Sequence, residues 1–187
     1  MRSRSAFTLF QLLTVLAILA FGFALFMPGI AKMRMMAARA QSTNNLKQIN
    51  LALINYANAN GQLPPGVDDN NFSAAAKVLP YLEQSNLYSS IKFDKPITDE
   101  ANAAARKTVV ATFLDPLDPI KSVRDDSGAT NYLFNDQIFF RNSKLKYPQD
   151  FPDGTSQTIF TGETLKGDGG DKAVDVKRQY VLLKKDA

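Results

Sequence analysis

From Phe7 to Met27 the chain carries 21 consecutive uncharged residues, FTLFQLLTVLAILAFGFALFM, among which only Thr8, Gln11 and Thr14 are polar. As an α-helix this run spans about 31 Å at 1.5 Å per residue, which matches the roughly 30 Å hydrocarbon core of a bilayer. A domain of the size that 187 residues allow has little room to surround so long an apolar rod. A membrane helix is therefore the expectation. The basic leader MRSRS and the small-x-small tripeptide Gly29-Ile30-Ala31 would also suit an ordinary secretory signal. The apolar run, however, exceeds the roughly 7–15 residues of such a signal, and the helical pattern does not stop at residue 31.

Beyond Pro28-Gly29 there is no Pro or Gly until Gly61, and Met33, Met36, Ala37, Ala40, Leu46, Ile49, Leu53, Tyr56 and Ala57 recur at three- and four-residue intervals. The spacing predicts one helix from Phe7 to Asn60, bent at Pro28, where a backbone donor is missing. Gly61 is placed as its C′ residue, and Leu63-Pro64-Pro65-Gly66 forbids continuation.

The remainder reads as α+β. A short helix over Ala74–Leu79 should break at Pro80, with another turn or two around Tyr81–Tyr88. Thr98 is placed as the N-cap of a helix through Lys107, with Asp99 and Glu100 in its first turn and Arg106 and Lys107 in its last. Strands are expected at Thr108–Leu114, Thr130–Asn135, Gln137–Arg141, Gln157–Gly162 and Val176–Leu183, paired antiparallel over the outer half of the long helix.

Composition excludes much chemistry. With no His and no Cys the chain has no zinc or Fe–S ligand set, no disulfide, no thiol nucleophile and no His-dependent triad. A net charge of +4, partly from Arg2 and Arg4, comes with no basic–aromatic stripe, so no nucleic-acid partner is expected. Asp153-Gly154-Thr155-Ser156 lacks the context of a serine nucleophile and reads as a turn leading into a strand. Gly167–Gly170 is not a phosphate loop, because no Gly-Lys-Ser/Thr comes after it. Asp168, Asp171 and Asp175 are the only Ca²⁺ candidates. Their spacing does not fit an EF-hand, and a solvated turn is the favoured reading. No cofactor and no catalytic residue are expected.

At Ser5-Ala6-Phe7-Thr8-Leu9 a small residue ends a short basic leader just before the apolar helix. This resembles the prepilin signal of type IV pilins and type II secretion pseudopilins. The resemblance implies cleavage between Ala6 and Phe7 by a prepilin peptidase and methylation of the Phe7 amine. It places Pro28 at the family's helix-bending proline. Ser42-Thr43-Asn44-Asn45-Leu46-Lys47-Gln48-Ile49, Asn55-Tyr56, Pro64-Pro65-Gly66, Leu79-Pro80-Tyr81-Leu82-Glu83-Gln84 and Asp153-Gly154-Thr155-Ser156 are similar, in order, to segments of the H-x9-DG-type prepilin family common in planctomycete bacteria. The resemblance implies a leader over 1–6, a transmembrane helix over 7–30 with its N-terminus in the cytoplasm, and an extracytoplasmic pilin-like head over 31–187. The implied partners are the peptidase, the membrane and other pilin or pseudopilin subunits, with Phe7, Gln11 and Pro28 serving filament assembly.

The chain departs from that family in three places. Gln11 stands where relatives carry Glu, so the Phe7 amine gains a hydrogen bond rather than an ion pair in an apolar bundle. A minor or tip subunit suits that change. Ser42 and Asp115-Pro116 stand where relatives usually have Cys, and the terminal His…Asp-Gly element is absent. The expected function is structural or secretion-related and non-enzymatic. The alternatives are a membrane-anchored ligand-binding module, favoured by a groove lined with Tyr81, Tyr88 and Tyr132, and a hydrolase, favoured by a convergent buried carboxylate pair.

Overall fold

The computed structural model describes residues 9–118 and 127–164, without the side chains of residues 23–29. Helix α1 runs from Leu9 to Asn60 as one element. The chain divides into two compact units, Met1–Ala40 and Gln41–Ala187. In the first, α1 carries Pro28 within it. Its described side chains are exposed nearly throughout, including Met33, Met35 and Met36.

In the second unit α1 becomes a core helix. Ser42, Asn45, Ile49, Ala52, Leu53 and Ala57 are buried at the three- and four-residue spacing of one helix face. Each of Ile49 and Leu53, completely enclosed, contributes about 1.5–3 kcal/mol of burial. The helix ends as expected. Gly61 takes a positive φ of 73° that costs glycine little, and its N–H reaches the Ala57 carbonyl at 2.8 Å.

Short helices wrap that face. They are α2 (Ala74–Lys77), α3 (Ser85–Ser90) and α4 (Ala103–Lys107), with 3₁₀ turns at Leu79–Leu82, Glu100–Asn102 and Ala111–Phe113. Phe72, Val78, Leu79, Leu82, Val110 and Phe113 join the α1 residues in the core. Strands β1 (Tyr132–Phe134) and β2 (Thr161–Glu163) pair antiparallel, with Tyr132 opposite Glu163 and Phe134 opposite Thr161. The fold is thus α+β, a long helix with a small two-stranded antiparallel sheet, consistent with the pilin-like expectation.

Gly66 holds the middle of this unit together. Its N–H donates to the Phe140 carbonyl and its own carbonyl accepts from Ala74. A Cβ at this position would sit 1.7 Å from the Phe139 carbonyl oxygen, so only glycine permits the approach.

Several elements differ from the sequence expectation. Thr108–Leu114 is not a strand, because its second half tightens into the Ala111–Phe113 turn ahead of Asp115-Pro116. Gln137–Arg141 is not a strand either. Asn135 folds the chain back by accepting the Ile138 and Phe139 N–H groups on its carbonyl and that of Gln137 on its side chain. In the expected strand Gln157–Gly162 only the last two residues pair, since a turn at Gly154, φ 86°, takes up the preceding chain. The cap of the 99–107 segment is Asp99, one residue past Thr98. Its carboxylate accepts the Ala101 N–H at 2.9 Å. Val176–Leu183 lies outside the described residues.

Candidate functional site

The first candidate surface is the beginning of α1. Leu9, Phe10, Leu12, Leu13, Val15, Leu16, Ile18, Leu19 and Phe21 are 47–80% exposed and lie all round the helix rather than on one stripe. A helix apolar on every side is not built for water and calls for lipid or other helices around it. Thr14 adds little polarity, because its hydroxyl donates to the Phe10 carbonyl at 2.8 Å within the same helix. Gln11 lies exposed on this segment. These described apolar side chains cover about 20 Å of helix. Among the described residues no helix is long and apolar enough to cross a membrane. Ala6 and Phe7 lie outside the described residues, as do Asp168, Asp171 and Asp175. Pro28 falls inside α1.

The second candidate site is polar and had no counterpart among the sequence expectations. Ser42 of α1 donates its hydroxyl to Glu163 Oε1 of β2 at 2.7 Å and lies 3.1 Å from the Tyr132 hydroxyl of β1. The buried Asp115 carboxyl lies near enough to Glu163 to push it upward. Asp115 Oδ1 accepts from the Leu117 N–H, while the Asp115 N–H donates to Asn131 Oδ1 at 2.9 Å. Asn131, wholly enclosed, also donates through Nδ2 to Asp118 at 2.7 Å and to the Thr164 carbonyl at 2.9 Å. Asn45 reaches the Leu114 carbonyl from α1 at 3.1 Å. Ser42 and Asp115, singled out in the sequence for what they replace, thus both lie close to Glu163.

Burial pushes the Glu163 carboxyl above the ordinary value, Asp115 pushes it further, and the Ser42 hydroxyl opposes them. The hydrolase alternative called for a convergent buried carboxylate pair, and here Asp115 is buried while Glu163 is exposed. Protein donors already engage both residues, with the Ser42 hydroxyl on Glu163 and the Leu117 N–H on Asp115, which gives the pair the character of a structural joint. Among the described residues no group of three or more Asp, Glu, His or Cys is arranged to hold a metal ion.

The three tyrosines of the ligand-binding alternative do not line one groove. Tyr132 is enclosed with its hydroxyl against Ser42, Tyr81 packs edge-on to Tyr56 at 6.1 Å, and Tyr88 packs on Phe93 at 4.9 Å. Asp68 forms a turn by accepting the Asn70 and Phe72 N–H groups. It also pairs with Lys77 at 2.6 Å, and Lys77 in turn sits 4.6 Å above the Phe93 ring.

These features define a class: α+β proteins built around one long helix whose first part is apolar on all sides and whose second part forms the spine of a small globular unit. Within that class the chain belongs to the family described as "Protein of unknown function (DUF1559)", whose model matches residues 31–138, more than half of its length. The family is of the H-x9-DG prepilin-like type. No curated protein and no solved structure matches the chain.

Proposed function

We propose that this protein is a pilin-like or pseudopilin-type subunit, a non-enzymatic structural component of a type IV pilus or type II secretion-like filament. The observation that carries this reading is the beginning of α1, where nine large apolar side chains encircle the helix and remain exposed. Even partial cover of such side chains is favourable by roughly 1 kcal/mol each, so the segment gains from a lipid or helical environment. The uncharged run from Phe7 to Met27 in the sequence supports lipid, and the family supports a prepilin-like protein.

In this reading a prepilin peptidase removes residues 1–6 and the Phe7 amine is methylated. The helix over 7–30 then spans the cytoplasmic membrane with its N-terminus inside, and the head over 31–187 is extracytoplasmic. Neighbouring subunits pack through the first part of α1, and Gln11 in place of an acid suits a minor or tip position.

Intact mass and N-terminal sequencing of the protein from native membranes test the processing. A chain starting at methylated Phe7 is expected. A chain starting at Lys32 would mean ordinary secretion and would end this reading. Extraction at alkaline pH tests the anchor, since the protein should stay with the membrane pellet.

A further inference from the structure

The chain holds no acidic residue before Asp68, and its cations lie on both sides of the uncharged run: Arg2 and Arg4 precede it, and Lys32 and Arg34 come soon after Met27. With the N-terminus of α1 inside, cations placed just beyond the span run against the usual inside bias of Lys and Arg. They are not its orientation signal and call for another role.

Their position along α1 suggests one. At 1.5 Å per residue, Lys32 lies about 7.5 Å and Arg34 about 10.5 Å past Met27, where the run that fills the hydrocarbon core ends. The headgroup layer is about 5–7 Å deep on each side of that core. Side chains of an α-helix tilt towards its N-terminus, which here is towards the bilayer, so both long side chains lean back to the level of the lipid phosphates. Arg39, about 18 Å past Met27, stands beyond that layer. Lys32 and Arg34 are exposed, and neither side chain has an ion pair or hydrogen bond among the described residues.

The arrangement around the helix narrows the partner. Residues two apart stand about 200° apart at 100° per residue, so Lys32 and Arg34 occupy opposite sides of α1. Exposed Ile30, Met33, Met35 and Met36 are interleaved with them. Apolar and cationic groups mixed on all sides fit a lipid boundary, which surrounds the helix with acyl chains below and phosphates above. An acidic protein would approach from one side and would be met by a one-sided stripe.

We propose that Lys32 and Arg34 form a cationic collar that holds the headgroups of anionic phospholipids in the leaflet where the apolar run ends. The collar rests on the membrane-anchored reading of α1 given above. One Lys or Arg at the surface favours an anionic headgroup by about fivefold, and the attraction decays within a Debye length, so salt weakens it.

The full-length protein, with Arg2 and Arg4 changed to Gln so that only the far side of the run is read, is reconstituted into phosphatidylcholine vesicles. These carry a trace of phosphatidylglycerol or phosphatidylcholine spin-labelled on the acyl chain, and electron paramagnetic resonance gives the fraction of each label immobilised against the protein. Phosphatidylglycerol should be favoured roughly three- to fivefold at low salt, with the ratio falling towards one in about 1 M salt, where the Debye length is about 3 Å. Adding Lys32→Gln and Arg34→Gln should bring the ratio near one at low salt and leave the immobilised phosphatidylcholine fraction unchanged. Adding Lys107→Gln and Lys144→Gln instead, at exposed cations far along the chain, should keep the preference. Equal immobilisation of the two labels would overturn the collar, leave the anchor standing and hand the cations to an acidic neighbouring chain. A preference that resists salt or survives in the collar variant would overturn it too. If neither label is immobilised, α1 is not in the bilayer, and the anchored reading falls together with the collar.

Discussion

Replacing Asn131 by Ala probes the joint on which the Asp115 loop and the sheet both depend. The side chain is wholly enclosed, and among its bonds it accepts from the Asp115 N–H at 2.9 Å and donates to Asp118 at 2.7 Å and to the Thr164 carbonyl at 2.9 Å. Alanine leaves a buried N–H, a carbonyl and a carboxylate oxygen each without this partner. Two neutral bonds at about 1 kcal/mol and one charge-assisted bond at about 2 kcal/mol give a loss of about 4 kcal/mol. Water admitted to the vacated space restores part of this, leaving about 3 kcal/mol. That is a large share of the 5–15 kcal/mol typical of a folded domain.

Urea unfolding of the full-length protein in detergent, followed by near-ultraviolet circular dichroism of the tyrosines, measures the effect. At a slope of about 1.5–2 kcal/mol/M the midpoint should drop by roughly 1.5–2 M. Asn60→Ala is the control. It deletes a single exposed bond to the Tyr56 carbonyl and should cost no more than about 0.5 kcal/mol. A loss below 1 kcal/mol for Asn131→Ala would show that the three bonds form no cooperative joint and would refute the reasoning.

Two further perturbations address other parts of the second unit. Gly66→Ala forces a Cβ to within 1.7 Å of the Phe139 carbonyl oxygen, a backbone atom that cannot swing aside, so a loss of about 3 kcal/mol or more is expected, read as melting temperature or as failure to accumulate folded protein. Gly22→Ala, with nothing within 4 Å of the new methyl, should leave the melting temperature unchanged. For Asp68, burial raises the carboxyl, but the Lys77 bond and the Phe72 and Asn70 N–H groups together outweigh it and leave it below the ordinary 3.8. Its contribution is therefore present above that value and disappears as pH falls through the lowered one. Asp68→Asn should cost about 1–2 kcal/mol at pH 7 and nothing near pH 2, as melting curves across that range would show.

The elements legible in the sequence are those fixed by local chemistry. An unbroken stretch without Pro or Gly gave the outer half of α1 its continuity, Gly61 gave it its end, and the three- and four-residue recurrence of Ile49, Leu53 and Ala57 marked the buried face correctly. The exposed apolar character of Leu9–Phe21 is equally a property of composition, for a helix without a polar face has no side to turn towards water.

Tertiary structure decided what depends on partners. Thr108–Leu114 and Gln137–Arg141 carry strand-like residues, but a strand exists only where another backbone completes its ladder, and local bonds to Asn135 and the turn before Asp115 competed successfully. The junction of Ser42, Asp115, Asn131 and Glu163 was illegible for the same reason. Ser42 and Glu163 are 121 positions apart, each an ordinary polar residue in its own neighbourhood, and only folding makes them share a hydrogen bond and places the Glu163 carboxyl near a second acid.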